Sequence, residues 1–157
     1  MPGLRLLPLT PQKVAQAYAL IQLVAPDVSL AAWRKFARQR MSGACASSGG
    51  VHTIQNAHGT ILGLASYCAD DGWNNVRTFT VDHLVVVATT ERQQDAVLSA
   101  LLDALETIAV NYGCSAIQFK LAASGSAILD RHARWLLEAA GHSERYVLLA
   151  KALADRG

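Results

Sequence analysis

Charge is scarce in this chain: Asp, Glu, Lys and Arg together make up 17% of it, and the formal net charge is only +2. So small an imbalance leaves no electrostatic footprint for a polyanion. No basic stripe interleaved with aromatics is present either, so nucleic acid is not an expected partner. Cysteine is scarcer still. The three residues Cys45, Cys68 and Cys114 are odd in number and widely spaced, which provides neither a disulfide framework nor a paired-cysteine metal motif. No histidine pair has ligand spacing with a third ligand, so no metal is expected. The opening Met1-Pro-Gly-Leu-Arg-Leu-Leu-Pro-Leu9 lacks a charged leader, an apolar stretch of signal length and a small-residue cleavage site. No apolar run approaches the roughly 20 residues of a membrane span. These absences set the expectation of a soluble, cytoplasmic, reduced protein with no membrane partner.

What is present is apolar: 52% of the 157 residues are hydrophobic, enough for a single domain over residues 1–157 with a core that needs no staples. Residues 4–9 predict a short strand ending near Pro8. Thr10-Pro11 then pairs an N-cap with proline at the first helical position, opening a helix over Pro11–Val24 that Pro26 stops. Ser29 caps a second helix, with Trp33, Phe36, Ala37 and Met41 on its apolar side. Arg34, Lys35, Arg38 and Arg40 fill the rest of its circumference. A small-residue loop over residues 41–50 precedes a predicted hairpin, Val51–Gln55 and Thr60–Cys68 about the turn Asn56–Gly59. A polar loop over residues 69–75 leads into a valine-rich strand, Val76–Val87.

Thr90 with Gln93 three residues on forms a capping box for the longest helix, which ends near Asn111-Tyr-Gly113. Ser115–Ala122 alternates as a strand. A helix then resumes to Ala140 with Ile128, Leu129, Trp135 and Leu136 on its apolar side and Gly141 as its C-cap. Tyr146–Ala150 predicts the last strand. The order β-α-α-β-β-β-α-β-α-β predicts an α/β (α+β) fold, a mixed sheet covered by helices.

That order, over essentially the whole chain, resembles the GNAT superfamily of acyl-CoA-dependent N-acetyltransferases, whose central sheet is mostly antiparallel. The family's Q/R-x-x-G/A-x-G/A signature, between a strand and a long helix, is met by Gln93 and Ala96 but not by Leu98. Its later N-x-x-A segment and following helix align with Asp130, Ala133 and Gly141. Asp130 replaces the asparagine, Leu137 the family tyrosine and His142 the phenylalanine, so the member is a divergent one.

The resemblance implies acetyl-CoA or another acyl-CoA as co-substrate and a small-molecule or peptide amine as acceptor. The backbone of Val85, Val86 and Val87 would hold the pantetheine and acyl carbonyl through a split in the sheet. Arg92, Gln93, Gln94, Asp95, Ala96, Val97 and Leu98 would meet the pyrophosphate, with Asp130 and Ala133 as further cofactor contacts. A helix N-terminus suits phosphates because its first N–H groups lack helical partners. Leu98 would crowd that approach if it pointed outward, and Glu91 and Asp95 place negative charge there. Without a cofactor, the same residues describe an ordinary capped helix.

By the same resemblance, Asp82 falls where some members carry a catalytic glutamate, and His52 is the second candidate base. Strand alternation sends His83 to the opposite face from Asp82, with Phe79, Val81 and Val85, as a hydrogen-bonded core histidine. Trp33, Tyr67 and Trp73 are the candidates for lining the acceptor site, Trp33 being equally a core residue. His142 is expected to cap a helix end. A homodimer joined through the last strands is a further expectation, and a non-catalytic CoA-sensing or partner-binding module is the alternative to an enzyme.

Overall fold

The computed structural model describes residues 3–42, 48–120, 134 and 137–143. Among the described residues, strand β1 (Arg5–Pro8) forms one edge of a five-stranded sheet ordered β1-β2-β3-β4-β5. The edge tolerates Pro8, which has no N–H to give a ladder. Thr10 is extended and Pro11 opens a 3-10 turn, Pro11–Lys13, which runs into α1 (Val14–Val24). Helix α2 (Leu30–Ser42) begins where the Ser29 hydroxyl accepts the Ala32 N–H at 3.1 Å. Ala17, Leu20 and Ile21 of α1 and Trp33 and Ala37 of α2 are buried, so both helices press apolar faces onto the same side of the sheet.

Strands β2 (Gly49–Gln55) and β3 (Ile61–Asp71) form the predicted hairpin, but each is longer than the sequence pattern indicates. Strand β2 starts two residues early, inside the predicted glycine loop. Gly50 pairs with Tyr67, and a Cβ at position 50 would lie 2.9 Å from the Tyr67 hydroxyl, so the glycine serves close approach rather than a turn. Strand β3 runs on through Asp71, into the predicted polar loop, because Asp70 and Asp71 still pair with Thr78 and Arg77 of β4 (Arg77–Val86).

Helix α3 (Glu91–Asn111) buries Val97, Leu98, Leu101, Leu105 and Ala109 against the other face of the sheet. It ends at Gly113, whose φ of 73° permits bonds from Gly113 N–H to Val110 and from Cys114 N–H to Ala109, closing the last turn. The chain returns as β5 (Ala116–Phe119), parallel to β4. A second glycine terminus follows at Gly141, with φ of 93°. There the His142 N–H bonds the Leu137 carbonyl at 2.9 Å, as expected of a helix C-cap. The residues assigned to the rest of that helix (Ile128, Leu129, Trp135, Leu136), the strand at Tyr146–Ala150, Cys45, Asp130 and Ala133 lie outside the described residues.

Two irregularities in the sheet position everything that follows. Pairing between β4 and β5 stops at Val81↔Phe119, with Lys120 N–H closing on the Val81 carbonyl at 2.9 Å. Among the described residues, β4 continues beyond that point to Val86 paired to β3 alone, which leaves its β5 side open as a split in the sheet. At the same place the β3–β4 register jumps from Tyr67↔Val81 to Ser66↔His83. Asp82 is the extra residue of a β-bulge. Before it Phe79 and Val81 face α3; after it Val86 faces α3 while Val85 faces α1 and α2.

Packing beside the split is close. A Cβ on Gly63 would meet Ile54 Cγ2 at 2.8 Å and the Val85 carbonyl at 3.2 Å. Gly63→Ala is therefore expected to destabilise the fold by about 1–3 kcal/mol through overpacking. Urea unfolding measures it, and an unchanged midpoint would contradict it.

Candidate functional site at the sheet split

The bulge decides which side chains meet. In an unbroken strand Asp82 and His83 would lie on opposite faces; across the bulge both turn toward α2. Ser66 of β3, fully buried, lies between them. Its hydroxyl donates to Asp82 Oδ1 at 2.6 Å, and its oxygen lies 2.8 Å from His83 Nδ1. The other carboxylate oxygen, Oδ2, is ion-paired with Arg40 of α2. A second Arg40 nitrogen donates to the Tyr67 carbonyl at 2.9 Å. The guanidinium also sits 5.2 Å from the centre of the Phe36 ring, and Phe36 meets the edge of the His83 ring at 5.3 Å.

The expectation of a core histidine at position 83 is thus corrected. His83 is hydrogen-bonded, but its side chain is 58% exposed, because the extra residue turns it away from the interior shared by Phe79 and Val81.

Burial by itself would raise the Asp82 pKa. The contacts from His83 and Ser66 and the charge of Arg40 outweigh it and hold the carboxyl down at about 2, against an ordinary 3.8. So acidic a carboxylate is a weak proton acceptor at neutral pH. It acts here as a fixed negative charge. A folded-state pKa below the unfolded value stabilises the fold above the unfolded value, and that contribution is lost as pH falls toward the folded one. For Asp82 the window runs from about pH 4 down to about pH 2, and the loss is about 2 kcal/mol. Urea unfolding across that range should show the fall in the native chain and a shallower one in Asp82→Asn; identical slopes would contradict it.

Ser66, His83 and Asp82 are also the residue types of a hydrolase triad, but their arrangement is different. Ser66 is 0% exposed, and its hydroxyl sits between acid and imidazole rather than at the end of the chain of bonds. No substrate carbonyl reaches it.

Beyond the bulge, Val87 donates its N–H to the Leu62 carbonyl of β3 at 2.8 Å. Period-2 alternation turns the Val85 amide toward β3 as well, and sends those of Leu84 and Val86 into the open side of the split. The chain then enters α3 through Thr90, whose hydroxyl accepts the Gln93 N–H at 3.2 Å. The Gln93 side chain reaches back to the Thr89 N–H and hydroxyl, both at 3.0 Å. This is the expected capping box displaced by one residue. The first helical bond runs from Gln94 N–H to the Thr90 carbonyl, so the N–H groups of Glu91 and Arg92 lie at the helix mouth without helical acceptors. Leu98 is 0% exposed, packed inward beside Val97 and Leu101. It does not crowd that mouth.

The other residues singled out from the sequence lie elsewhere. His52, half-buried, pairs in register with Ala65 on the α3 side of the sheet. Its Nδ1 lies 2.9 Å from the Tyr67 hydroxyl, and burial lowers its pKa. The sheet separates it from Asp82. Tyr67 is 2% exposed and stacked on Phe79 at 4.6 Å. Its hydroxyl pKa is raised by burial, with Tyr112 adding to the shift. Trp33 is 3% exposed and gives its indole N–H to the Val14 carbonyl at 2.7 Å. Both aromatics are core residues rather than walls of an acceptor site, because their strand and helix positions face the packed layers. Trp73 is fully exposed at the tip of the β3–β4 turn, seven residues along the chain from Ser66 and so roughly 20 Å from the split.

No family model and no curated protein matches this chain. Solved structures do. A ribosomal-protein-alanine N-acetyltransferase from Brucella melitensis biovar Abortus 2308 superposes with a TM-score of 0.74 at 14% identity, over 96% of this chain and 99% of its own. AAC(6')-Iy in complex with the bisubstrate analog CoA-S-monomethyl-acetylneamine does so with 0.74 at 13%, over 96% and 99%. The aminoglycoside 6'-N-acetyltransferase AAC(6')-Ih from Acinetobacter baumannii gives 0.72 at 15%, over 97% and 100%. The chain has the GNAT fold.

At these identities the likeness is one of architecture, and through β5 the described elements follow the order expected from the sequence. Within this GNAT fold, neither Arg40 nor Ser66 stands out in the sequence pattern, and plain alternation puts His83 on the wrong face. One signal was available. Ser66 is a hydroxyl directly after the apolar run Ile61–Ala65, and a buried hydroxyl needs a partner.

Proposed function

We propose that the chain transfers an acyl group, acetyl in the simplest case, from CoA to the amine of a small molecule or peptide. The observation that carries this is the split on the β5 side of β4 among the described residues, which lies beside the Arg40–Asp82–Ser66–His83 cluster and leads to the mouth of α3. The amides of Leu84 and Val86 are the donors for the thioester carbonyl and the pantetheine, with Val85 and Val87 holding the strand against β3. The N–H groups of Glu91 and Arg92 and the Arg92 side chain receive the pyrophosphate. Gln93 through Leu98 form the helix turns behind them. An inward Leu98 and a cap that leaves two amides at the mouth make these residues compatible with the cofactor. A matched structure holding a CoA–neamine bisubstrate analog supports a small amine as the acceptor class.

In the reaction the amine nitrogen bonds to the acyl carbon, the C–S bond breaks, and its electron pair leaves on the CoA sulfur. A preorganised amide aimed at the developing oxyanion lowers that barrier. Asp82, with both oxygens engaged, anchors the site. A cytoplasmic location and assembly as a homodimer complete the proposal, the second being open to light scattering.

Thermal melts test the cofactor directly. At about 100 times its dissociation constant acetyl-CoA stabilises a binder by about 2.7 kcal/mol, or roughly 5–10 °C for a domain of this size. No shift at millimolar acetyl-CoA would end the transferase proposal. A shift without CoA release across a panel of amines would leave a non-catalytic CoA-binding module.

A further inference from the structure

The hydrogen-bond polarity at Ser66 fixes the state of His83. An ionised carboxylate only accepts, so the 2.6 Å contact with Asp82 uses the one proton that Ser66 carries. The serine oxygen, 2.8 Å from His83 Nδ1, is then left as an acceptor, and Nδ1 must be the donor. A neutral His83 held this way keeps its proton on Nδ1 and its lone pair on Nε2. The side chain is 58% exposed, and the residue is next in sequence to Leu84, whose amide faces the split.

The groups around the ring also determine where a proton would stop. Among the described residues, the strands present Ser66 and Asp82 to it, and α2 presents Phe36. Arg40, also of α2, lies behind on the far carboxylate oxygen. An imidazolium at position 83 faces the Asp82 carboxylate at 3.5 Å. Arg40 keeps that carboxylate ionised, so a proton arriving on Nε2 stays on the imidazole.

We propose that His83 Nε2 accepts the proton released by the attacking amine, with Ser66 and Asp82 as the residues that set its tautomer. The assignment rests on the acyl-transfer function proposed above. In balance, the N–C bond forms and the C–S bond breaks onto the sulfur, while the amine proton passes to His83 Nε2 and from there to solvent.

Two measurements on the full chain test it. In 15N-histidine NMR spectra of the native protein, neutral His83 should carry its proton on Nδ1, and Ser66→Ala should shift the population toward Nε2–H. A native Nε2–H tautomer overturns the proposal whatever the activity. In kinetics, His83→Asn keeps a donor for Ser66 but has no base. It should keep the acetyl-CoA melting shift while lowering kcat/KM by roughly 10²–10⁴-fold and flattening the acid limb of the pH profile. A retained limb with a near-native rate overturns the proposal, as does acetyl-CoA binding without transfer. Loss of acetyl-CoA binding by the native chain strikes the transferase function itself and is distinguishable from both.

Discussion

Phe79→Ala is expected to cost about 3–5 kcal/mol of folding stability. The ring is 0% exposed, stacked on Tyr67 at 4.6 Å and tilted against Tyr112 at 6.1 Å. It stands on β4, between its register partners Ala69 and Ile117. The walls of the space it would leave are backbone-paired strands and the long α3, which have little freedom to close on a void. The cost therefore combines lost transfer energy with an unfilled cavity. Against a total of about 5–15 kcal/mol this is a large share, and the melting temperature should fall by roughly 10 °C or more. Phe79→Leu, nearer in volume, should lose less than half as much. Denaturant unfolding with an unchanged slope measures both; a loss under 1 kcal/mol for the alanine variant would mean that the layers repack around the gap.

Arg40→Met is expected to cost about 2–3 kcal/mol, below the 3–5 kcal/mol of a dry ion pair because water reaches part of this one. The two side chains are 16% and 17% exposed, and removing the guanidinium leaves Asp82 ionised with one fewer partner and takes one donor from the Tyr67 carbonyl. The carboxyl pKa should rise. Asp82→Asn in the same background should restore part of the loss, since the uncompensated charge is then gone. A double-mutant cycle isolates the pair energy, and strict additivity of the two substitutions would show that the pair contributes nothing.

The parts of this fold legible in the sequence are those written in local periodicity. Leu20, Ile21, Trp33 and Ala37 fall at helical spacing and are buried; Thr90 and Gln93 mark the start of α3 and Gly113 its end. The split and the bulge have no such mark. In Thr80-Val81-Asp82-His83-Leu84 the adjacent polar pair Asp82-His83 interrupts the alternation, but such a break identifies an inserted residue only against the partner strand. Plain alternation misplaces His83 because the extra residue interrupts it there. Arg40 escaped for a different reason. Its partner is 42 residues away, and on the helix alone it is one of four cations around an apolar stripe. Tyr67 and Trp33 show the converse, since an aromatic suited to line a ligand site is equally suited to fill a core.

The bulge at Asp82 is something the core does not require. Deleting residue 82 would leave Val81 opposite Tyr67 and His83 opposite Ser66, and plain alternation would then keep Val85 under α1 and α2 and Val86 under α3. What the deletion removes is the carboxylate held among Arg40, Ser66 and His83. The extra residue serves the cluster rather than the packing, so a chain that had abandoned the cluster could lose it without rearranging its layers.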